Sequence, residues 1–226
     1  MTANIILAKL NLPMTLAETP YLRGIIIHKS DTNDNPLFHG HEADGFRYSY
    51  PLVQYKCLDG NGALIMLSTE KDLSPDDLPE LPDGIVQLGR RRAAASVDGI
   101  FKAEAELGII EGVRTYDVAD YMPFNQENYD LYRKTRGIVD RMRQIEQTIT
   151  ANILSMYKGL GLYLEDRVDV CLEDMKRCQP ARYKGVRMER MNVRFSANVA
   201  LPPLAGIGKG VSLGYGTVTE HEDNQE

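Results

Sequence analysis

The order of apolar and polar residues along the chain predicts two successive groups of strands and helices. In the first group, the predicted elements are a strand at 4–12, a helix at 16–28, a strand at 46–58, a strand at 63–67 and two strands within 85–110. The Asp-Gly-Asn-Gly sequence at 59–62 is a hairpin turn signal between the second and third of these strands. Pro51 cannot donate to a ladder, so its strand is expected at a sheet edge or to begin after the proline.

The second group contains the clearest helix of the sequence. Its apolar residues recur at steps of three and four, which places them on one helix face: Ile138, Met142, Ile145, Ile149, Ile153, Met156 and Leu160. Strands are predicted at 166–175 and 186–201. In the second of these, apolar residues such as Val193 and Phe195 alternate with Arg194, so that one face is expected to be buried and the other to offer charge and hydrogen bonds.

Both groups combine a few strands with one main helix, without the strict alternation of strand and helix that is typical of a parallel sheet. The sequence therefore predicts an α+β protein with two tandem ferredoxin-like (RRM-like) domains and a C-terminal glycine-rich loop. We place the domains at residues 1–112 and 113–219, followed by an acidic tail at 220–226. The 226 residues are enough for two domains of about 100 residues each.

Charge is unevenly distributed along the chain. The net charge of −6 combines −9 over residues 1–130, +7 over residues 131–219 and −4 over the tail. Residues 176–194 hold seven lysines and arginines against the single carboxylate of Glu189. A basic segment on an acidic protein indicates a localised site for a polyanion. A solvated basic face without a ligand is the alternative interpretation.

Composition narrows the class of protein. No apolar run is long enough to span a bilayer, and the first ten residues lack the basic start and long apolar stretch of a signal peptide. The three cysteines form no CxxC pair, which fits a reduced protein. We therefore expect a cytoplasmic protein that has no membrane partner.

Two of the four histidines lie close together in a polar loop. His39 and His41 are separated by one glycine, and such a pair can divide general-base and general-acid work because imidazole changes charge near neutral pH. An HxH pair is also a metal motif, but the fuller HxHxDH pattern fails because Ala43 and Asp44 stand where Asp and His are needed. Two exposed histidines without chemistry are a third interpretation. His221, in the acidic tail, is expected to be inert.

The sequence AGIGKGVSLGYG at 205–216 contains five glycines and one lysine. Glycine is used where the backbone needs a positive φ or where a ligand approaches the main chain closely. A Walker loop is excluded, because Pro203 occupies the position of its first glycine and Gly210 that of its Ser or Thr. The dinucleotide motif is excluded because Val211 replaces its third glycine. The stretch therefore favours contact with a polynucleotide over a cradle for a single nucleotide.

Four motifs together resemble one family of nucleases. They are LRGIIIH at 22–28, HGHEAD at 39–44, YPLVQYK at 50–56 and LPPLAGIGKGVSLGYGTV at 201–218. This combination is similar to the CRISPR-associated endoribonucleases of the RAMP superfamily, which cut repeat-containing precursor RNA into guide RNAs. The resemblance is specific over residues 20–67 and 186–219.

The resemblance implies a chemistry and the residues that perform it. It implies cleavage without metal or cofactor, in which a ribose 2′-hydroxyl attacks the neighbouring phosphate and leaves 2′,3′-cyclic phosphate and 5′-hydroxyl ends. His39 and His41 match the catalytic histidines of the family. Arg47, Tyr48 and Lys56 are further candidates, which would stabilise charge on the pentacoordinate phosphate.

RNA contacts are expected from the basic segment and the glycine-rich stretch. The candidate residues are Arg182, Lys184, Arg187, Arg190, Arg194, Gly206, Gly208, Lys209, Gly210, Ser212, Gly214 and Gly216. The arginines would attract the polyanion, and the glycine-rich backbone would present N–H groups to phosphates. The expected partner is single-stranded or hairpin repeat RNA, and a homodimer or the subunits of a CRISPR interference complex stay open as further partners.

Three alternatives stay open at this point. A non-catalytic RNA-binding RAMP subunit of an interference complex would have the same fold and loop but would bind repeat RNA without cutting it. A metal-dependent hydrolase would use His39 and His41 with Asp44 and would be sensitive to chelators. A structural or interaction protein would use the glycines only for tight packing between its domains.

Overall fold

The computed structural model describes residues 1–29, 41–42, 45–46, 50–183 and 185–222, and for 41–42 and 45–46 it describes the backbone only. The chain divides into two compact units. The N-terminal unit contains Thr2–Ala105 and Ser212–Gly214, and the C-terminal unit contains Met1, Glu106–Val211 and the residues from Tyr215 onward.

The N-terminal unit is built from eight strands and one α-helix among its described residues. They are β1 (Thr2–Pro13), α1 (Thr19–Lys29), β2 (His41–Glu42), β3 (Gly45–Phe46), β4 (Val53–Leu58), β5 (Asn61–Ser68), β6 (Gly84–Leu88), β7 (Arg91–Ala95) and β8 (Val97–Glu106). Its main sheet has the order β4-β5-β1-β8. This order, with α1 after the first strand, is the ferredoxin-like arrangement. The β6–β7 hairpin occupies the part of the chain where that arrangement has its second helix.

The hydrophobic core of the N-terminal unit lies between the main sheet and α1. Ile6, Ala8 and Leu10 are buried on one face of β1 and belong to one apolar cluster with Leu22 and Ile26 of α1. Full burial of one such leucine or isoleucine contributes about 1.5–3 kcal/mol. This packing holds α1 against the sheet, in spite of the β-branched residues and the glycine in its sequence.

β4 behaves as its proline predicts. It begins at Val53, two residues after Pro51, and it lies at an edge of the sheet. The turn into β5 has a φ of 49° at Asp59 and 77° at Gly60. Two successive positive φ values are the requirement of a type I′ hairpin turn, so the turn signal is confirmed.

The C-terminal unit has the same arrangement. Its elements are β9 (Gly108–Tyr121), α2 (Gln126–Lys134), α3 (Ile138–Gly159), β10 (Val170–Arg177), β11 (Ala181–Tyr183), β12 (Val186–Met188), β13 (Met191–Ala200) and β14 (Thr217–Glu220). The main sheet has the order β10-β13-β9-β14, again second, third, first and fourth along the chain. Residues 201–216 take the place of the second helix. The predicted pair of ferredoxin-like domains is confirmed.

The main helix is confirmed at 138–159, but its buried face is shorter than its apolar pattern. Ile145, Ile149 and Ile153 have no exposed surface, whereas Ile138 is 76% exposed and Met142 is 37% exposed. The seven residues share one face of α3, as their spacing predicts, but the buried part of that face begins at Ile145. Periodicity identifies a face of a helix, and only the neighbouring elements decide how much of that face is covered.

Two further expectations differ from the structure in detail. Three strands, β6, β7 and β8, lie between residues 84 and 106, where two were expected. Of these three strands β7 has the weakest local signal, because its sequence, RRAAA, has low strand propensity. The domain boundary placed at 112/113 lies within β9, whereas the two compact units meet between Ala105 and Glu106. In the described part of the chain, no helix combines the length and the apolar character needed to cross a bilayer.

Candidate nucleic-acid interface

The glycine loop (residues 205–216) is packed against the C-terminal unit at Gly208 and Gly216. Gly216 has a φ of 67°, and a Cβ atom there would lie 1.9 Å from the carbonyl oxygen of Ile207. The same holds less severely at Gly208, where a Cβ would lie 2.6 Å from the ring of Tyr121. Only glycine fits such positions, so internal packing alone accounts for much of the glycine content.

The backbone of the loop is also bonded internally. The N–H of Ile207 donates to the carbonyl of Gly216 at 2.9 Å, and the N–H of Lys209 donates to the carbonyl of Met122 at 2.9 Å. The N–H of Gly216 donates to the carbonyl of Asp120 at 3.3 Å. These bonds attach the loop to the end of β9, and those three N–H groups are therefore engaged within the protein.

Only groups of the glycine loop that reach the protein surface can contact a ligand. The side chain of Lys209 is exposed, and Gly208 and Ser212 are half-buried, whereas Gly206 and Gly210 are buried. Lys209 is thus the part of the loop that is best placed to attract a phosphate.

The tip of the glycine loop reaches the edge strand β4 within the N-terminal unit. A Cβ at Gly214, where φ is 85°, would lie 2.9 Å from the carbonyl oxygen of Tyr55, 3.1 Å from a Leu16 methyl group and 3.3 Å from the Cα of Lys56. The loop thus brings its backbone next to the one candidate phosphate-stabilising residue that lies within the described part of the chain.

Lys56 is buried completely, with none of its surface exposed. Burial penalises its ammonium form and lowers the pKa of Lys56 to about 7. On the neighbouring position of β4, burial raises the pKa of Tyr55 to about 12, so that its hydroxyl stays neutral. A lysine with a pKa near neutrality can be present in both its charged and its neutral form at physiological pH, unlike an exposed lysine.

The other candidate catalytic residues are described only in part. The backbone of His41 pairs with that of Phe46 in the short β2–β3 ladder. His39, Arg47 and Tyr48 lie outside the described residues, as does the side chain of His41. Their candidate roles stay predictions.

The basic residues of the C-terminal unit separate into two sets. Arg182 and Arg187 face each other across the β11–β12 ladder and are exposed, and Lys184 between them lies outside the described residues. Arg190, by contrast, forms an ion pair with Asp120 at 3.1 Å, and Arg194 binds both carboxylate oxygens of Asp117, at 2.8 and 3.3 Å. Arg182 and Arg187 are therefore the more available cations of the basic segment.

Asp117, Arg194 and His221 form a cluster that the sequence analysis missed. His221 Nδ1 lies 2.7 Å from Oδ2 of Asp117, and its backbone N–H donates to the carbonyl of Thr115. Burial would raise the pKa of Asp117, but the hydrogen bonds from Arg194 and His221 hold it below its usual range. The three residues meet only because β9 lies between β13 and β14, which no local signal in the sequence reveals.

A metal site is not assembled by the side chains that the structure describes, among which no group of three or more His, Cys, Asp or Glu could hold an ion. His39 and Asp44, which the metal-dependent alternative needs, lie outside that part of the chain. The metal-dependent alternative therefore stays a prediction.

Comparison with known proteins supplies the family. The model of the Cas6b N-terminal domain matches residues 1–104, and the model of the Cas6b C-terminal domain matches residues 108–221. An uncharacterized protein of Methanocaldococcus jannaschii, MJ0978, is 28% identical over 129 residues, which are 56% of this chain and 86% of that protein.

Solved structures agree with the fold. A crystal structure of Cas6b has a TM-score of 0.80 and 23% sequence identity, and a crystal structure of the CRISPR RNA processing endoribonuclease Cas6b has a TM-score of 0.71 and 21% identity. In both cases the match covers 98% of this chain and 100% of the other. The resemblance recognised in the sequence motifs is thereby confirmed. Since family models match both halves of the sequence, the chain belongs to the Cas6b family.

Proposed function

We propose that this protein is an endoribonuclease that cuts CRISPR repeat RNA during the maturation of guide RNAs. The match of both Cas6b domain models, over residues 1–104 and 108–221, is the observation that carries the proposal. One structural neighbour is itself described as a CRISPR RNA processing endoribonuclease. The exposed Arg182, Arg187 and Lys209 of the C-terminal unit are consistent with an RNA substrate.

The proposed chemistry is transesterification without a metal ion. A general base removes the proton of a ribose 2′-hydroxyl, whose oxygen attacks the adjacent phosphorus. A general acid protonates the departing 5′-oxygen, so the products carry a 2′,3′-cyclic phosphate and a 5′-hydroxyl. His39 and His41 are assigned to these two roles, because imidazole can exchange protons in both directions near neutral pH.

Lys56 is assigned to the stabilisation of the phosphate. Negative charge grows on the phosphate oxygens as the pentacoordinate intermediate forms, and a nearby ammonium group in a buried site stabilises it more strongly than it would in water. Because Lys56 has no exposed surface, a phosphate reaches it only if the groups that cover it move when RNA binds. Arg47 and Tyr48, which precede it on the chain, are assigned to the same task.

RNA binding is assigned to the β11–β12 hairpin and to the glycine loop. Arg182, Lys184 and Arg187 would contact phosphates, and Lys209 would do so from the loop. Arg190 and Arg194 would contribute less, because Asp120 and Asp117 already neutralise them. A homodimer and assembly with interference-complex subunits are compatible with this arrangement and stay proposals.

The proposal is tested by cleavage of a labelled CRISPR repeat RNA from the same genome, in buffer that contains EDTA. Wild type is compared with His39→Ala and with His41→Ala, and His28→Ala serves as the matched control because it removes an exposed histidine at the end of α1. We expect wild type and the control to cut at one site and to leave 2′,3′-cyclic phosphate ends. In His39→Ala and in His41→Ala, we expect the cleavage rate to fall by at least about 100-fold.

Other results would decide between the alternatives. Wild type that binds the repeat and never cuts it would identify a non-catalytic RNA-binding subunit. Cleavage that is abolished by EDTA and restored by a divalent metal would identify a metal-dependent hydrolase. Cleavage that survives both histidine substitutions would remove the proposed roles of the pair.

A further inference from the structure

The β6–β7 hairpin carries three consecutive arginines in the acidic half of the chain. The ladder pairs Leu88 with Arg91, so Gly89 and Arg90 form a two-residue turn. Gly89 has a φ of 63°, as the first position of a type II′ turn requires. The hairpin therefore presents Arg90 at its tip and Arg91 and Arg92 immediately after it.

Arg91 is fixed to the body of the N-terminal unit. Its Nε lies 2.6 Å from Oε1 of Glu18, and its Nη2 lies 3.0 Å from Oε2 of Glu18 and 2.7 Å from the carbonyl oxygen of Pro13. The hydrogen bond from Arg91 lowers the pKa of Glu18 to about 2, with smaller contributions from Thr15. These contacts hold the hairpin tip in place and give Arg91 a structural role.

Arg90 and Arg92 are in a different situation. Both side chains are exposed, and neither has a carboxylate within ion-pair distance among the residues that the structure describes. Lysines of the same unit do have such partners: Lys29 pairs with Glu80, Lys71 with Asp77, and Lys102 with Asp72. In a unit rich in acidic residues, two arginines that no described carboxylate neutralises form a localised positive site.

An exposed aromatic ring lies at the same tip. A Cβ atom on Gly89 would lie 2.8 Å from the ring of Tyr21, so the ring packs directly over this glycine. Tyr21 nevertheless keeps 49% of its surface exposed. Arginine next to an exposed aromatic ring is the combination by which proteins bind single-stranded RNA, because bases stack on the ring while guanidinium groups bind phosphates.

We propose that Tyr21, Arg90 and Arg92 form a second RNA-binding site, which holds a single-stranded part of the substrate on the N-terminal unit. The inference rests on the proposed function, since it gives the same RNA a further contact. Arg90 and Arg92 bind two phosphates, and Tyr21 stacks with one base. Arg91 and Gly89 position the site without touching the ligand.

The test measures the affinity of the full-length protein for a fluorescently labelled repeat RNA by anisotropy, over a series of salt concentrations. The double variant Arg90→Ala/Arg92→Ala is compared with Lys71→Ala/Lys102→Ala, which removes the same charge from the same unit. We expect about tenfold or greater weakening in the arginine variant, and a plot of log affinity against log salt that is shallower by about 1.4, because each lost single-strand phosphate contact removes about 0.7. The lysine variant is expected to stay within about twofold of wild type.

Tyr21→Ala and Tyr21→Phe separate stacking from charge. We expect about tenfold weaker binding for the alanine variant with an unchanged salt slope, and wild-type binding for the phenylalanine variant, which keeps the ring. Equal effects of the arginine and lysine variants, or weaker binding of the arginine variant without a change in salt slope, would overturn the inference. If the arginine variant binds RNA with wild-type affinity, the inference is also overturned. Arg90 and Arg92 would then be assigned to contact with an acidic protein.

The two proposals fail separately. If wild type binds the repeat RNA more tightly than Arg90→Ala/Arg92→Ala does but never cuts it, the proposed function is wrong and the second site stands. Wild type that cuts the repeat, with the same affinity in the arginine variant, would remove the second site and leave the proposed function standing.

Discussion

Replacing Lys56 with methionine should remove a pH dependence of stability that wild type has. The ammonium group of Lys56 is fully buried, and burial lowers its pKa from 10.5 to about 7. Between these two pH values the unfolded chain holds the proton that the native protein has released, so wild-type stability rises with pH in this range. Methionine has a side chain of similar length without a titrating group, so the variant lacks this contribution.

The magnitude follows from the pKa. Each pH unit in which the unfolded state holds one more proton contributes about 1.4 kcal/mol, so the full range corresponds to about 5 kcal/mol. At pH 7 half of the native molecules still carry the charge, and at pH 9 nearly none do. From pH 7 to pH 9, wild type should therefore gain about 2 kcal/mol of unfolding free energy relative to Lys56→Met.

Urea denaturation at pH 7, 8 and 9 measures this difference, provided that the m-values of the two proteins agree. Comparison with the variant cancels the titration of other groups. Lys102→Met is the control, because Lys102 is on β8 with an exposed side chain and should follow wild type at every pH. Parallel pH curves for wild type and Lys56→Met would refute the reasoning, since they would mean that Lys56 titrates near its ordinary pKa in the folded protein.

Three further changes test the packing. Gly216→Ala should lower the free energy of unfolding, measured by urea denaturation, by about 3 kcal/mol or more, because φ is 67° and a Cβ would clash with a carbonyl oxygen. Gly24→Ala, on helix α1 with open space around it, should raise it by about 0.5–1 kcal/mol. A similar effect of both would contradict the packing of the glycine loop. In the same assay, Ile149→Ala should lower the free energy of unfolding by about 2–5 kcal/mol and Ile138→Ala by less than about 0.5 kcal/mol, since only the side chain of Ile149 is buried. Equal losses would mean that the first turn of α3 is covered. Glu18→Gln should speed amide hydrogen exchange in β6 and β7 and should lower the free energy of unfolding by about 1 kcal/mol, a difference that fades as pH falls from 4.5 through the folded-state pKa of about 2, because wild-type Glu18 then becomes protonated too. An exchange rate equal to that of wild type would contradict the anchoring role of this carboxylate.

Local signals in the sequence predicted α1, α3 and most strands of the two main sheets, but not α2 or β14. The alternation in 193–199 identified β13, and the steps of four and three residues from Ile145 to Met156 identified the buried face of α3, because both patterns arise directly from burial. The alanines of β7 show no alternation of apolar and polar residues. The exposure of Ile138 depends on how far the neighbouring elements extend. Such properties are set by tertiary context.

The candidate site was predictable to a smaller extent. Glycine spacing marked 205–216, but it could not show that the N–H groups of Ile207, Lys209 and Gly216 are bonded within the protein. Charge density marked the basic segment, but it could not show that Asp117 neutralises Arg194 across the sheet. Contacts between residues 77 positions apart, as in this pair, arise from strand order, which a single sequence does not display.

The two units exchange short segments of the chain. Met1 belongs to the C-terminal unit, where its carbonyl accepts from the N–H of Leu107 at 2.7 Å, and Ser212–Gly214 belong to the N-terminal unit, beside the Tyr55–Lys56 backbone. During translation, the N-terminal unit is therefore made first but receives its last contact only when residues 212–214 have emerged. Until then β4 is an edge strand without its glycine-loop neighbour, which is the kind of surface that recruits strands from other chains. The N-terminal unit is thus made first but is completed only shortly before the C-terminal unit, whose last strand, β14, follows residue 214. A fragment ending at residue 105 should therefore be more prone to aggregation than the whole protein.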